Sequence, residues 1–313
     1  MAAGEPESRF DDYKIYTTNY KIVGDHGIEA NVIVPKDIKP GKHPLLVKFH
    51  GGGLITGTAL YAPWFAPYLL TLATTHSAIM VAPNYRLLPE SSGADILEDL
   101  ADFWAWTQNS LPEFLASASP VPLTVDLTHI LITGESAGGY MAIQSALTLP
   151  KGFIKALMLQ YPNTQRNVPS GRTTIMTMPV PPSEFVDQHL ASVKPGTIVS
   201  SAEPPERLDL MFAILTHARN EFLGKEKRFN LIEAIEDVSS FPSMWLMHGT
   251  EDEVVPVERS ERFVEKLRRV HPGTKVRLTL RPGGHGFDTE MVSEREGWLR
   301  EGLEWIEGEW FGE

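Results

Sequence analysis

The order of apolar and polar positions divides the chain into two kinds of stretch. Residues 12–22 and 27–35 alternate Tyr, Ile, Val and Thr with polar residues. That period of two marks half-buried strands and predicts an antiparallel pair at the edge of a sheet. Later runs are short and mainly apolar at 45–49, 78–83, 128–132, 153–159 and 244–248, and 276–280 reads as a further strand. Short apolar runs between turn residues predict strands buried on both faces. Helical spacing fills the gaps, at 61–75, 95–108, 140–147 and 256–269. In 95–108, Ile96, Leu97, Leu100, Phe103 and Trp104 share a face behind an acidic first turn, and a last helix carries Trp298 and Trp305 seven apart. Strands alternating with helices predict the α/β class, a mostly parallel sheet covered on both faces.

One segment breaks the rhythm. Residues 162–240 are Pro-rich and then helical, with Met176, Met178, Phe185 and Phe212 among them. A connection this long is either disordered or functional, and its apolar content argues against disorder. We expect a cap inserted within one domain spanning 1–313. The formal charge of −12 argues against a phosphate-backbone ligand, which needs a basic surface. The absence of cysteine excludes disulfides, thiolate metal sites and Cys nucleophiles, and suits a reducing compartment. Residues 1–7 are acidic without an apolar run, unlike a signal peptide, and no stretch approaches the ~18 apolar residues of a membrane span. The expectation is a cytoplasmic protein without stable membrane insertion. No metal-ligand cluster is visible and no cofactor is called for.

The chemistry centres on Thr133-Gly134-Glu135-Ser136-Ala137-Gly138-Gly139, between the 128–132 strand and the 140–147 helix. Gly-x-Ser-x-Gly alone is a weak signal. Entered from a buried strand and left as a helix, it defines a nucleophile elbow with the Ser136 hydroxyl at its tip. A serine needs a base, the base an orienting carboxylate, and the tetrahedral oxyanion needs donors. Downstream, His285 lies in a Gly-flanked loop after a strand, on the active edge of an open α/β sheet. The acid comes from Glu251-Asp252-Glu253, also after a strand. Gly51 and Gly52, after the 45–49 strand, offer backbone N–H groups with no side chain in the way, and the Ala137 N–H is a third donor.

The motifs His50-Gly51-Gly52-Gly53, Tyr85-Arg86-Leu87-Leu88-Pro89-Glu90, Gly134-Glu135-Ser136-Ala137-Gly138-Gly139, His248-Gly249-Thr250-Glu251-Asp252 and Gly284-His285-Gly286-Phe287 follow one another in this order. With them the chain resembles the hormone-sensitive-lipase-like carboxylesterases of the α/β-hydrolase superfamily. The resemblance implies an eight-stranded sheet, a Ser136/Asp252/His285 triad and an oxyanion hole of Gly51, Gly52 and Ala137. It implies that residues 85–90 form a structural turn near the site. Position 135 is usually Asp in that family and is Glu here; position 88 is usually Ala and is Leu here. Relatives often carry a helical cap before the first strand. This chain starts that strand by about residue 12, so its lid must come mainly from 162–240.

The function that follows is hydrolysis of carboxylic esters of hydrophobic small molecules through an acyl-enzyme. Leu54, Trp64, Phe65, Met176, Met178 and Phe287 lie close to the motifs and suggest an apolar acyl or alcohol moiety, and Tyr140 is a further candidate for substrate contact. Two readings stay open beside it. The same triad serves an acyltransferase, thioesterase, lactonase or cyclase of a biosynthetic pathway. A non-enzymatic small-molecule receptor would be expected to have lost a triad member. The expected partner is a small-molecule ester or thioester, with no nucleic acid, and the chain is a monomer or homodimer.

Overall fold

The two alternating stretches pair as their pattern predicts. β1 (Tyr13–Val23) and β2 (His26–Pro35) form an antiparallel ladder from Tyr13 opposite Pro35 to Val23 opposite His26. The computed structural model describes residues 9–312, so the acidic 1–7 segment lies outside the described residues. The apolar runs become β3 (Gly41–Phe49), β4 (Ile79–Pro83), β5 (Leu123–Glu135) and β6 (Ala156–Gln160). Further along, β7 (Thr174–Ile175) and β8 (Met178–Pro179) make a small hairpin, and β9 (Ser243–Gly249) and β10 (Val276–Arg281) complete the main sheet. Among the described residues that sheet has eight strands in the order β1-β2-β4-β3-β5-β6-β9-β10. β2 is antiparallel to both its neighbours, and the pairs from β4 to β10 are parallel.

Helices cover both faces, as βαβ crossovers require. α1 (Pro67–Thr75) and the C-terminal helix Gly297–Phe311 pack on one face with Met80, Leu131, Met158 and Trp245. α2 (Gly93–Asn109), α3 (Leu111–Ala118), α4 (Ala137–Thr148) and the helix Glu258–Val270 pack on the other with Val47, Ile132 and Leu246. A capping box between Ser92 and Asp95 starts α2. Two expectations need correction. The helix read over 61–75 is a 3-10 turn at Ala62–Trp64 followed by α1, because Pro67 disfavours helical geometry in Ala66, which is extended at ψ 135°. The strand read over 153–159 starts only at Ala156.

Residues 162–240 leave β6 and return to β9. They carry β7 and β8, α5 (Glu184–Ser192), α6 (Leu208–Thr216) and α7 (Leu231–Ala234). Leu210, Met211, Phe212 and Ile214 of α6 are buried in the larger core cluster. The segment is therefore packed structure.

Candidate active site

β5 ends at Glu135 and α4 begins at Ala137, so Ser136 alone makes the turn, at φ 55° and ψ −113°. An L-residue with positive φ is strained, and its surroundings must hold it there. The Ser136 N–H donates to the Gln160 carbonyl at 2.9 Å, and the Ser136 carbonyl accepts from the Asn163 N–H at 3.0 Å. The flanking glycines make the turn possible: a Cβ on Gly134 would stand 2.3 Å from the Gly138 carbonyl oxygen, and one on Gly138 2.1 Å from that of Phe49. The N-terminus of α4 then favours negative charge beside Ser136.

His285 follows β10, and its Nδ1 lies 2.7 Å from Asp252 Oδ2. Asp252 follows β9 and is buried. Its Oδ1 accepts from the N–H groups of Val254 and Val255, both at 2.8 Å. His248 Nε2 stands 3.2 Å from Oδ2, while its Nδ1 is bonded to Ser260 Oγ at 2.7 Å. Burial opposes a charge on Asp252, but the hydrogen bonds from His248 and His285 outweigh it and hold the carboxyl well below the usual carboxylate range. An ionised Asp252 only accepts, so the imidazole proton sits on Nδ1 and the lone pair on Nε2. Glu251 is exposed, and Glu253 accepts from the Met176 N–H at 3.0 Å, toward the 162–240 segment. Tyr161 packs against the His285 ring, centroids 4.5 Å apart.

Ser136 and His285 line one cavity of about 360 Å³, together with Gly51 and Gly52. Trp64, Met176 and Met178 line it, as the sequence suggested. Leu54, Tyr140 and Phe287 do not. Leu54 turns away at φ 64° and, with Tyr140, borders a separate cleft of about 40 Å³ behind the glycine loop. Tyr140 Oη accepts from Gln144 Nε2 at 2.9 Å, and half-buried Phe287 stacks on Trp298 against the core. Phe65 is buried beneath the Lys48 ammonium. Periodicity places a residue on an element, and its side-chain direction depends on local φ and ψ that it does not encode.

The glycine loop also differs from expectation. The Gly51 N–H is already engaged, donating to Glu135 Oε1 at 3.1 Å. Among the described residues the N–H groups of Gly52, Gly53 and Ala137 donate no hydrogen bond. Only glycine fits position 52, where φ is 95° and a Cβ would come within 2.1 Å of the Thr56 carbonyl oxygen. Glu135 itself is buried against Lys48 Nζ at 2.9 Å; burial pushes its carboxyl up, and the lysine works against that shift.

Much of the wall was unassigned by sequence. Leu208, Met211, Phe212 and Leu215 of α6 face the cavity, at spacings of three, four and seven residues that would have signalled one helix face. Tyr61, Thr289 and Glu290 complete the mouth. Arg9 ties the two sides of that mouth together, donating to the carbonyls of Ala62 at 3.0 Å and Thr289 at 3.2 Å and pairing with Glu290.

Comparison with known proteins agrees with this geometry. Residues 46–289 match the model of the alpha/beta hydrolase fold family, so the chain belongs to that family. It is 36% identical to a probable carboxylesterase, M8, of Phoma sp., over 97% of this chain and 98% of that protein, and it is an ester-hydrolysing member of the family. It is also 26% identical to the non-reducing polyketide synthase atr1 of Stereocaulon alpinum, over 95% of this chain but 13% of the synthase. In fold it is similar to a thermophilic esterase from Thermogutta terrifontis, with a TM-score of 0.61 and 19% identity over 95% of this chain and 91% of that one. No helix among the described residues is long and apolar enough to cross a membrane.

Proposed function

We propose that the protein hydrolyses neutral, hydrophobic carboxylic esters through an acyl-enzyme on Ser136. The single observation carrying this reading is the shared cavity wall of Ser136 and His285, with Asp252 bonded behind the imidazole. Ser136 Oγ attacks the acyl carbon while its proton passes to His285 Nε2. The resulting oxyanion is stabilised by the N–H groups of Gly52, Gly53 and Ala137, and Gly51 positions the loop through Glu135. The tetrahedral species collapses, the C–O bond to the alcohol breaks, and the alcohol leaves with the proton from His285. Water then repeats the sequence on the acyl-enzyme, releasing the acid and restoring Ser136. Asp252 holds the Nδ1–H tautomer and stabilises the imidazolium. Residues 162–240 act as the cap whose α6 excludes water from the acyl group.

The similarity to a polyketide synthase supports a second reading, in which the acyl donor is a thioester or the acyl group passes to a hydroxyl. One experiment addresses both. Short-chain p-nitrophenyl esters are offered to the native chain and to Ser136→Ala, with and without an added alcohol, and products are analysed. We expect turnover to fall at least about 10⁴-fold in the variant, with the fold retained by circular dichroism. Undiminished turnover in Ser136→Ala overturns the mechanism. Free acid as the sole product identifies hydrolysis, and an ester of the added alcohol identifies transfer.

A further inference from the structure

Away from the triad, a buried ion cluster joins three segments that are distant in sequence. Glu90, at the end of the 85–90 turn, has a side chain only 2% exposed. Arg207, the residue before α6, grips it with both arms, at 2.9 Å to Oε1 and 2.7 Å to Oε2. His189 Nε2, on α5, lies 2.8 Å from the same Oε1. The rest of the guanidinium is also committed: Nε donates to the Ile55 carbonyl and Nη2 to the Leu88 carbonyl, each at 2.7 Å. Arg207 reaches this position from a left-handed backbone, φ 65°, which a side-chain-bearing residue adopts only where its contacts hold it.

Ile55 closes the loop that carries the free glycine N–H groups. The N–H groups of Ile55 and Thr56 both donate to the Gly52 carbonyl at 2.9 Å. Displacing the Ile55 peptide therefore moves Gly52. On its other side Arg207 leads directly into α6, whose Leu208, Met211 and Leu215 line the cavity. A buried bidentate guanidinium–carboxylate pair adds geometric definition more than net stability, because desolvation offsets much of its attraction.

We propose that Arg207 is a positioning residue that sets the glycine loop in register with Ser136, with Glu90 as its anchor, and so couples the cap to the oxyanion site. This rests on the reading of Ser136 as nucleophile and Gly52 and Gly53 as donors. Arg207 touches no substrate. Its effect is on where two N–H groups point when the oxyanion forms.

The test compares the native chain with Arg207→Ala, Arg207→Lys and Glu90→Gln, with Ser136→Ala as control. We expect Arg207→Ala to lower kcat about 30-fold with KM within about twofold, below the ~10²–10³ for loss of an oxyanion donor because the donors remain but are misplaced. Affinity for a trifluoromethyl ketone, which places an oxyanion in the site, should weaken by the same factor. Guanidinium ion at low millimolar concentration should restore part of kcat in Arg207→Ala and none in Ser136→Ala. An unchanged kcat in folded Arg207→Ala, or a loss confined to KM, overturns the proposal. Should Arg207→Ala fail to fold, Arg207→Lys and Glu90→Gln decide it: lower kcat with weaker ketone binding supports the coupling, and native values for both variants overturn it. If Ser136→Ala is itself fully active, the underlying functional reading falls instead.

Discussion

His50 opens the glycine motif, yet its ring faces no substrate. It is buried and stacked flat on Tyr85, centroids 4.4 Å apart, with Nδ1 2.8 Å from the Gly51 carbonyl oxygen. Burial, with a contribution from Lys48, lowers its pKa to about 3, although the Gly51 bond opposes the shift. The ring is thus neutral in the folded protein at pH values where an unfolded His, near pKa 6.5, binds a proton. Above pH 6.5 both states are neutral there and His50 adds no pH dependence. As pH falls from 6.5 toward 3 the unfolded state takes up one more proton, so stability falls, by at most about 1.4 kcal/mol per pH unit from this group. Below about 3 the dependence ends. Urea melts at pH 7, 6, 5 and 4 check this: His50→Asn should show a slope shallower by up to one proton, and identical slopes would place the titrating group elsewhere. Residues of this kind divide what the sequence revealed from what it withheld. That Ser136 and His285 would meet at one cavity was legible because each follows a strand, whereas the residues alone left the acid among 251–253, and the family resemblance as much as spacing singled out Asp252. That Gly51 is occupied by Glu135 was not legible, since the contact joins side chain to backbone 84 positions apart.

At the scale of elements, the elbow is built by β3 and β5 lying side by side, with Lys48 registered opposite Thr133. This brings Lys48, 1% exposed, to the Glu135 carboxylate and places its ammonium 4.4 Å above the Phe65 ring. A single buried charge left by removing one partner is far costlier than replacing the pair with apolar groups. Lys48→Met should therefore destabilise the fold by about 3–5 kcal/mol, and Lys48→Met/Glu135→Met should recover most of it. Denaturant midpoints check this, and a double variant no more stable than Lys48→Met would refute the coupling. The double variant should still lose kcat, because the Gly51 N–H loses its acceptor. Element positions were legible wherever the period was strong. The antiparallel pair, the buried strands and α2 lie where 12–35, 45–49, 78–83 and 95–108 predicted them. α3 (Leu111–Ala118) was missed because Pro112 reads as a breaker, although a proline in the first helical turn loses no hydrogen bond. The Asp-to-Glu departure at 135 was visible, but its pairing with Lys48 depends on strand order, which local pattern does not encode.

For the molecule as a whole, a cavity bounded by the sheet's C-terminal edge and by residues 162–240 is expected to discriminate between substrates by charge. Among the described residues lining it there is no Lys or Arg. Its two carboxylates are already matched, Glu135 by Lys48 and Glu290 by Arg9. The remaining wall is largely Trp64, Met176, Met178, Met211 and Phe212. A substrate carboxylate entering this space would lose its hydration without gaining a cation, at several kcal/mol. The overall charge of −12 adds repulsion at the approach, which salt screens. The two effects separate experimentally. p-Nitrophenyl butyrate and p-nitrophenyl hemisuccinate carry the same leaving group and acyl chains of similar length, but the hemisuccinate ends in a carboxylate. We expect kcat/KM for the hemisuccinate to be lower by about 10² or more, since each 1.4 kcal/mol is a factor of ten. Raising the salt to 1 M should recover only the approach component, a few-fold, because the desolvation cost arises inside the cavity, where salt does not reach. Comparable kcat/KM for the two esters at low salt would require a cationic partner within reach of the acyl end and would refute the neutral-ester assignment. Full recovery in salt would confine the discrimination to the outer surface and remove the cavity from the explanation.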